Sequence, residues 1–210
     1  MIIIKSPEEI RHMRQVGRIV AIVLHELGKK IKPGGTTAGL DQFAENLLAR
    51  EGAMSPFKNY RPSSSHSPFP GITCMSVNDE IVHGVPDSRL LRDGDILSVD
   101  CGAKLNGWIA DSAWTFPVGK IGPLAQDLLN TTESALYASI AMARPGRHTG
   151  DVAAAMQTAV ESQGFNVIRR HTSHGVGRDL HEDPQILNHG YPGQGPRLRC
   201  GMTIALEPMV

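Results

Sequence analysis

The sequence predicts an α+β fold made of two halves of similar plan, and three observations carry that prediction. Apolar residues recur at helical spacing across residues 7–29 and again across about 123–142. A segment marked by proline and glycine returns later in the chain without a gap. Between the helical stretches lie short β-branched runs, two of them joined by Asn106-Gly107, a strong signal for a tight hairpin.

The first helix begins after Ser6, which can cap it, with Pro7 at the first helical position and Glu9 completing a capping box. Ile10, Met13, Val16, Val20, Val23, Leu24 and Leu27 then share one face, and Pro33-Gly34-Gly35 ends the helix. A second helix is expected from about Thr37 to Glu51, stopping at Gly52. The repeat sets "PGGTTAGLDQFAENLLAREG", from Pro33, against "PGRHTGDVAAAMQTAVESQG", from Pro145. It matches Pro33 with Pro145, Gly34 with Gly146, Thr37 with Thr149 and Gly52 with Gly164, and pairs Leu40 with Val152. Each copy follows a helix-like segment, which predicts pseudo-symmetric halves of about 1–120 and 121–210 within a single domain.

Strands are expected at 72–79, 95–103, 107–119 and in "MTIALEPM" near the end. Residues 55–71 and 188–201, rich in Pro, Ser and Gly, read as loops.

Composition narrows the function classes. Hydrophobic residues make up 40% of the 210 and aromatics only 5%, so the core is aliphatic. Lys+Arg and Asp+Glu are both 21, giving no net charge and no bulk electrostatic footprint for nucleic acid or an acidic membrane. Cys74, Cys101 and Cys200 form no C-x-x-C pair and read as reduced thiols, small buried side chains and not a disulfide framework. "MIIIKSPEEIRHMRQ" turns charged too soon for a signal peptide, and no apolar run is long enough to span a bilayer. A cytoplasmic protein is expected.

The chemistry concentrates in three places. If Asn106-Gly107 form the turn, Asp111 stands opposite Gly102, and Asp100 lies on the same face of the hairpin as Asp111. Their backbones would be roughly 7–8 Å apart as diagonal neighbours. Two carboxylates so placed in an apolar sheet repel and call for a cation. "HTSHGVGRDLHEDP" (171–184) supplies His174 among glycines, and "IALEPMV" supplies Glu207 before a proline. One imidazole and three carboxylates form a hard donor set suited to Mn²⁺, Fe²⁺, Co²⁺ or Zn²⁺. Carboxylates able to bridge point to two divalent ions.

"VNDEIVHGVPD" (77–87), the spacing of Asp100 and Asp111, "SHGVGRDLHEDP" (173–184) and "IALEPM" together resemble the type I methionine aminopeptidases, in order and spacing over nearly the whole chain. The resemblance implies the pita-bread fold, two pseudo-symmetric α+β halves around a dinuclear metal site. It implies Asp100, Asp111, His174 and Glu207 as metal ligands, and His83 and His181 as catalytic histidines that do not bind metal. The expected chemistry is removal of an N-terminal methionine that precedes a small residue. A metal-activated water attacks the scissile carbonyl while Glu207 shuttles its proton. His181 would bond the developing oxyanion and His83 the departing amide nitrogen. By position, Phe69, Cys74 and Leu180 match the family's methionine pocket. Leu180 stands where an aromatic residue is frequent, and His66 and Phe69 where tyrosines are. Family partners are peptides and nascent chains that start with methionine, with ribosome association, and the expected state is a monomer.

The chain stops at Val210, where the family continues through further strands that carry a last, bridging glutamate. The expectation is therefore that C-terminal strands are missing. It includes a single, weakly held ion on Asp111, His174 and Glu207, little or no peptidase activity and poor solubility. Two rival readings are a related proline-specific peptidase, which usually carries an N-terminal domain, and a non-catalytic pita-bread binding module, which would lose metal ligands.

Overall fold

The structure, a computed structural model, describes residues 1–61 and 67–210. Part of the loop expected at 55–71, and His66 within it, lie outside the described residues. The elements in chain order are α1 (Pro7–Lys30), α2 (Thr37–Arg50), β1 (Cys74–Val77), β2 (Ile96–Leu105), β3 (Trp108–Pro117), α3 (Pro123–Met142), α4 (Thr149–Glu161), β4 (Thr172–Gly175), β5 (Glu182–Leu187) and β6 (Ile204–Ala205). The chain forms two compact units, Arg11–Gly122 and the pair Met1–Ile10 with Pro123–Val210.

The expected capping box opens α1. The Glu9 N–H donates to Ser6 Oγ (3.2 Å), and the Ser6 N–H donates to the Glu9 carboxylate (2.9 Å). Its buried face carries Met13, Val16, Val20, Val23, Leu24 and Leu27 as expected, with Ile19 added.

In the Arg11–Gly122 unit, α1 glycines allow β3 to approach closely. A Cβ built on Gly28 would come within 2.6 Å of the Phe116 ring, and one on Gly17 would sit 4.0 Å from Ala110 Cβ. Helix α2 is capped by Thr36, whose Oγ accepts from the Gly39 N–H at 3.1 Å. Asp41 on the same helix accepts from the Thr73 N–H (2.8 Å), the Thr73 hydroxyl (2.7 Å) and the Ile72 N–H (3.1 Å). That clamp fixes where β1 starts. The three strands form one antiparallel sheet in the order β1-β2-β3. Asn106 (φ 52°) and Gly107 (φ 80°) are both left-handed, as a two-residue hairpin turn requires.

In the other unit, α3 and α4 enclose Ala135, Met156, Val160 and Val167, while Val152, Ile186 and Leu198 form a second core. Its sheet runs β5-β4-β6, all antiparallel. Two sequence expectations are corrected here. Strands β4 and β5 were not foreseen, and the strand expected in "MTIALEPM" shrinks to Ile204–Ala205. Beyond β6 the Glu207 N–H donates to the Ser173 side chain (2.8 Å) instead of a backbone carbonyl, and Pro208 has no N–H to continue a ladder.

The repeat is written into the backbone. Gly34 (φ 83°) and Gly146 (φ 92°) donate to the carbonyls of Leu91 and Leu198, at 2.8 and 2.9 Å. Those leucines donate back to Gly35 and Arg147, at 2.8 and 2.7 Å. The match therefore extends further than the sequence reading took it. "LRDGDILSVD" (91–100) aligns with "LRCGMTIALE" (198–207), placing Gly94 (φ 96°) on Gly201 (φ 89°) and Asp100 on Glu207.

Cys74 and Cys101 are buried, but Cys200 is exposed, contrary to expectation. It occupies the turn position that Asp93 holds in the first copy, where a side chain points away from the core. Among the described residues no helix is long and apolar enough to cross a membrane.

Candidate functional site

The Arg11–Gly122 unit contributes a pair of carboxylates. The hairpin register places Asp111 opposite Gly102 and Asp100 opposite Ala113, so the two aspartates share a face as diagonal neighbours. A Cβ built on Gly102 would come within 2.7 Å of Pro56 and 2.9 Å of Phe57, so these two residues close one end of that face. Cys74 lies opposite Asp100 on β1. Burial first, and then the charges of Asp100 and Asp111, push the Cys74 and Cys101 thiols well up. In the absence of metal both stay protonated at neutral pH, as buried, unreactive thiols do.

His83 sits at φ 61°, a left-handed conformation costly for a residue with a Cβ. It is held by its neighbour. The Gly84 N–H donates to Ser76 Oγ (3.0 Å), and the Gly84 carbonyl accepts from the Met75 N–H (2.8 Å), which fastens the turn to β1. Half-buried Phe69 is fixed by backbone bonds to Asn59 and Tyr60, with its ring against Gly71.

The other unit contributes histidines and a glutamate. His174, on β4, is only 5% exposed. Its Nδ1 lies 2.8 Å from the Gly175 carbonyl oxygen, which can only accept, so Nδ1 carries the proton. In the neutral ring Nε2 is then a bare lone pair, and it faces the Glu207 carboxylate oxygen Oε1 at 2.9 Å. Two electron-rich atoms at that distance repel unless a proton or a cation lies between them. Among the described residues nothing donates to that buried oxygen. The donor set fits a divalent ion.

The His181 ring meets His174 edge-on, with centroids 4.5 Å apart. Leu180 beside it is buried. A cavity of about 370 Å³ opens here, lined in part by His174, His181 and Glu182. The glycines around His174 serve close approach. A Cβ on Gly175 would collide with the Asp183 carbonyl, and one on Gly177 would come within 2.6 Å of the Glu182 carboxylate.

Sequence reasoning missed Lys5 and Glu182. They form an ion pair with side chains 1% and 4% exposed. The only signals were a lysine closing the apolar run "IIIK" and an acidic residue after His181. Burial pushes the Glu182 carboxyl up, but the Lys5 ammonium and the amides of Asp179 and Arg178 outweigh it and hold it below the usual glutamate range. A depressed pKa contributes stability that is complete above the unfolded value and is lost as pH falls through the folded one. The thermal midpoint is therefore expected to fall as pH drops below about 4.3. Glu182→Gln is expected to flatten that acid limb in calorimetric scans. Equal acid slopes in both proteins would contradict it.

Residues 11–210 match the model of metallopeptidase family M24. Methionine aminopeptidase 1 of Bacillus subtilis (strain 168) is 51% identical over 210 residues, spanning 100% of this chain and 82% of the relative. The chain belongs to the methionine aminopeptidases of metallopeptidase family M24. The crystal structure of methionine aminopeptidase from Rickettsia prowazekii superposes with a TM-score of 0.95 at 33% identity, covering 99% of this chain and 82% of that one. Prolidase from Pyrococcus furiosus superposes at 0.82 with 22% identity, over 98% of this chain and 57% of its own, a likeness of fold alone. The fold of this family member is thus the pita-bread fold, with mixed helices and sheets.

The structure brings His174, His181 and Glu207 together in one unit, and Asp100, Asp111 and Cys74 together in the other. Phe69 and His83 belong to the Arg11–Gly122 unit, and Leu180 to its counterpart.

Proposed function

We propose that this chain hydrolyses the bond after an N-terminal methionine, acting on peptides and nascent proteins whose second residue is small. It is a metalloaminopeptidase by family and takes a divalent metal. One observation carries the reading to the atoms: the His174 Nε2 and Glu207 Oε1 lone pairs turned on each other at 2.9 Å. Asp100 and Asp111, side by side on the hairpin, would add their carboxylates as the further ligands that the family resemblance implies. Co, Mn, Fe and Zn all suit one imidazole with three carboxylates. When bound, the metal supplies Lewis acidity to the scissile carbonyl and to a water.

The chain's own groups do the rest. Glu207 takes the proton of the attacking water and returns it to the leaving amine. His181, beside His174, donates a hydrogen bond to the oxygen of the scissile carbonyl as charge builds there. His83, on its fastened turn, bonds the amide nitrogen that departs. Phe69, Cys74 and Leu180 offer the methionine side chain an aromatic ring, a neutral thiol and an aliphatic surface. A cytoplasmic monomer working on chains at the ribosome is the setting this substrate suits.

The test is discrimination at the second residue. A small second residue is what the family resemblance implies, so Met-Ala-Ser is expected to be cleaved much faster than Met-Leu-Ser. Equal rates on the two peptides would refute the assignment. Metal content of the purified protein separates the enzyme from a non-catalytic module, which would hold none.

A further inference from the structure

We propose that Lys5 is a positioning residue that acts through Glu182 to set the loop carrying His181. The inference rests on the reading of His181 as the donor to the scissile oxygen and extends it to a residue far away in sequence.

The two Glu182 oxygens have separate tasks. Oε1 accepts from the backbone N–H of Arg178 (2.8 Å) and of Asp179 (3.3 Å), drawing the segment between β4 and β5 into a tight turn. Oε2 takes the Lys5 ammonium. Lys5 is fixed in turn, since its N–H donates to the Gly201 carbonyl at 2.8 Å. Gly177 has no side chain because the pair fills that space: a Cβ there would come within 2.7 Å of Lys5 Cε. The segment's start is pinned by Thr203, whose hydroxyl donates to the Val176 carbonyl at 2.6 Å. Its end is Leu180, buried, followed by His181, exposed and edge-on to His174. The His181 imidazole meets His174 edge-on, and the backbone that carries it is the turn that the buried charge pair holds shut. Burying an ion pair is a poor source of stability, because desolvation offsets the attraction. A pair retained at such a place earns its position by geometry.

The experiment uses the full chain with labelled histidine and amide positions, followed by NMR. In Lys5→Met, amide exchange at Arg178 and Asp179 is expected to accelerate at least about tenfold. The His181 ring resonances are expected to move, and those of His148 to stay. Lys5→Arg should restore both signals. On Met-Ala-Ser, kcat is expected to fall about tenfold, as for a misplaced donor, with KM nearly unchanged. Glu182→Gln, which keeps an oxygen for the amides but discards the charge, should reproduce the His181 shift if Lys5→Met folds poorly. Unchanged His181 resonances and exchange in a folded Lys5→Met variant would overturn the proposal. So would loss of folding in both variants, since the pair would then hold the fold and not the loop. Failure of the underlying reading looks different: His181→Ala would leave kcat unchanged while Lys5→Met still loosened the turn.

Discussion

Replacing His174 with alanine is expected to abolish tight metal binding while the fold persists. The parent chain places the His174 Nε2 and a carboxylate oxygen 2.9 Å apart, an arrangement that needs a proton or a cation between them. Without the imidazole, a cation there would keep the Glu207 carboxylate but lose the nitrogen donor beside it. Disturbing the groups behind a metal ligand already costs roughly 10–100-fold in affinity, so deleting a ligand should cost about 100-fold or more. Ligand-linked stability makes this visible without turnover. Metal at 100 times its Kd should stabilise the parent by about 2.7 kcal/mol, and the variant by almost nothing at the same concentration. Titration calorimetry and thermal scans with Mn²⁺ or Co²⁺ decide the matter. A variant that gains as much from metal as the parent would mean that His174 is a packed core residue.

Much of this was legible in the sequence, for local reasons. Asn106-Gly107 dictates a two-residue turn, the turn fixes the register, and the register puts Asp100 and Asp111 on one face. The α1 capping box and helical face follow from spacing alone. The glycines that follow His174, Gly175 and Gly177, announced close backbone approach, and the Asp183 carbonyl and the Lys5–Glu182 pair are what approaches.

What stayed hidden depends on contacts distant in sequence. Strand β5 alternates as a strand should, but its inward positions are Pro184, Ile186 and, just beyond it, Asn188, while Leu187 points outward. No hydropathy pattern shows that. Strand β6 is short because Ser173 supplies the acceptor for the Glu207 N–H, a choice made by a residue on another strand. The extension of the repeat to Asp100 and Glu207 needed the paired bonds of Gly34 to Leu91 and Gly146 to Leu198, since the intervening segments differ in length. The pocket residues Phe69, Cys74 and Leu180 came from family resemblance and had no local signal of their own.

His181→Ala is expected to lower kcat by roughly 10²–10³, the cost of losing one donor to a developing oxyanion, with metal content unchanged. The imidazole is exposed, and it faces the His174 ring edge-on. Removing it leaves intact both the Gly175 bond that fixes the His174 tautomer and the Glu182 clamp that shapes the turn. An effect confined to the transition state lowers kcat and kcat/KM together. A rise in KM at constant kcat would instead mean that the ring only helps hold the substrate. His181→Gln keeps an N–H that can reach the same oxygen and is expected to recover part of the lost rate. Steady-state kinetics on Met-Ala-Ser, with metal content measured on the same samples, distinguish the outcomes. If the alanine variant lost its metal along with its rate, His181 would be a ligand, and the division of labour between it and His174 would have to be redrawn.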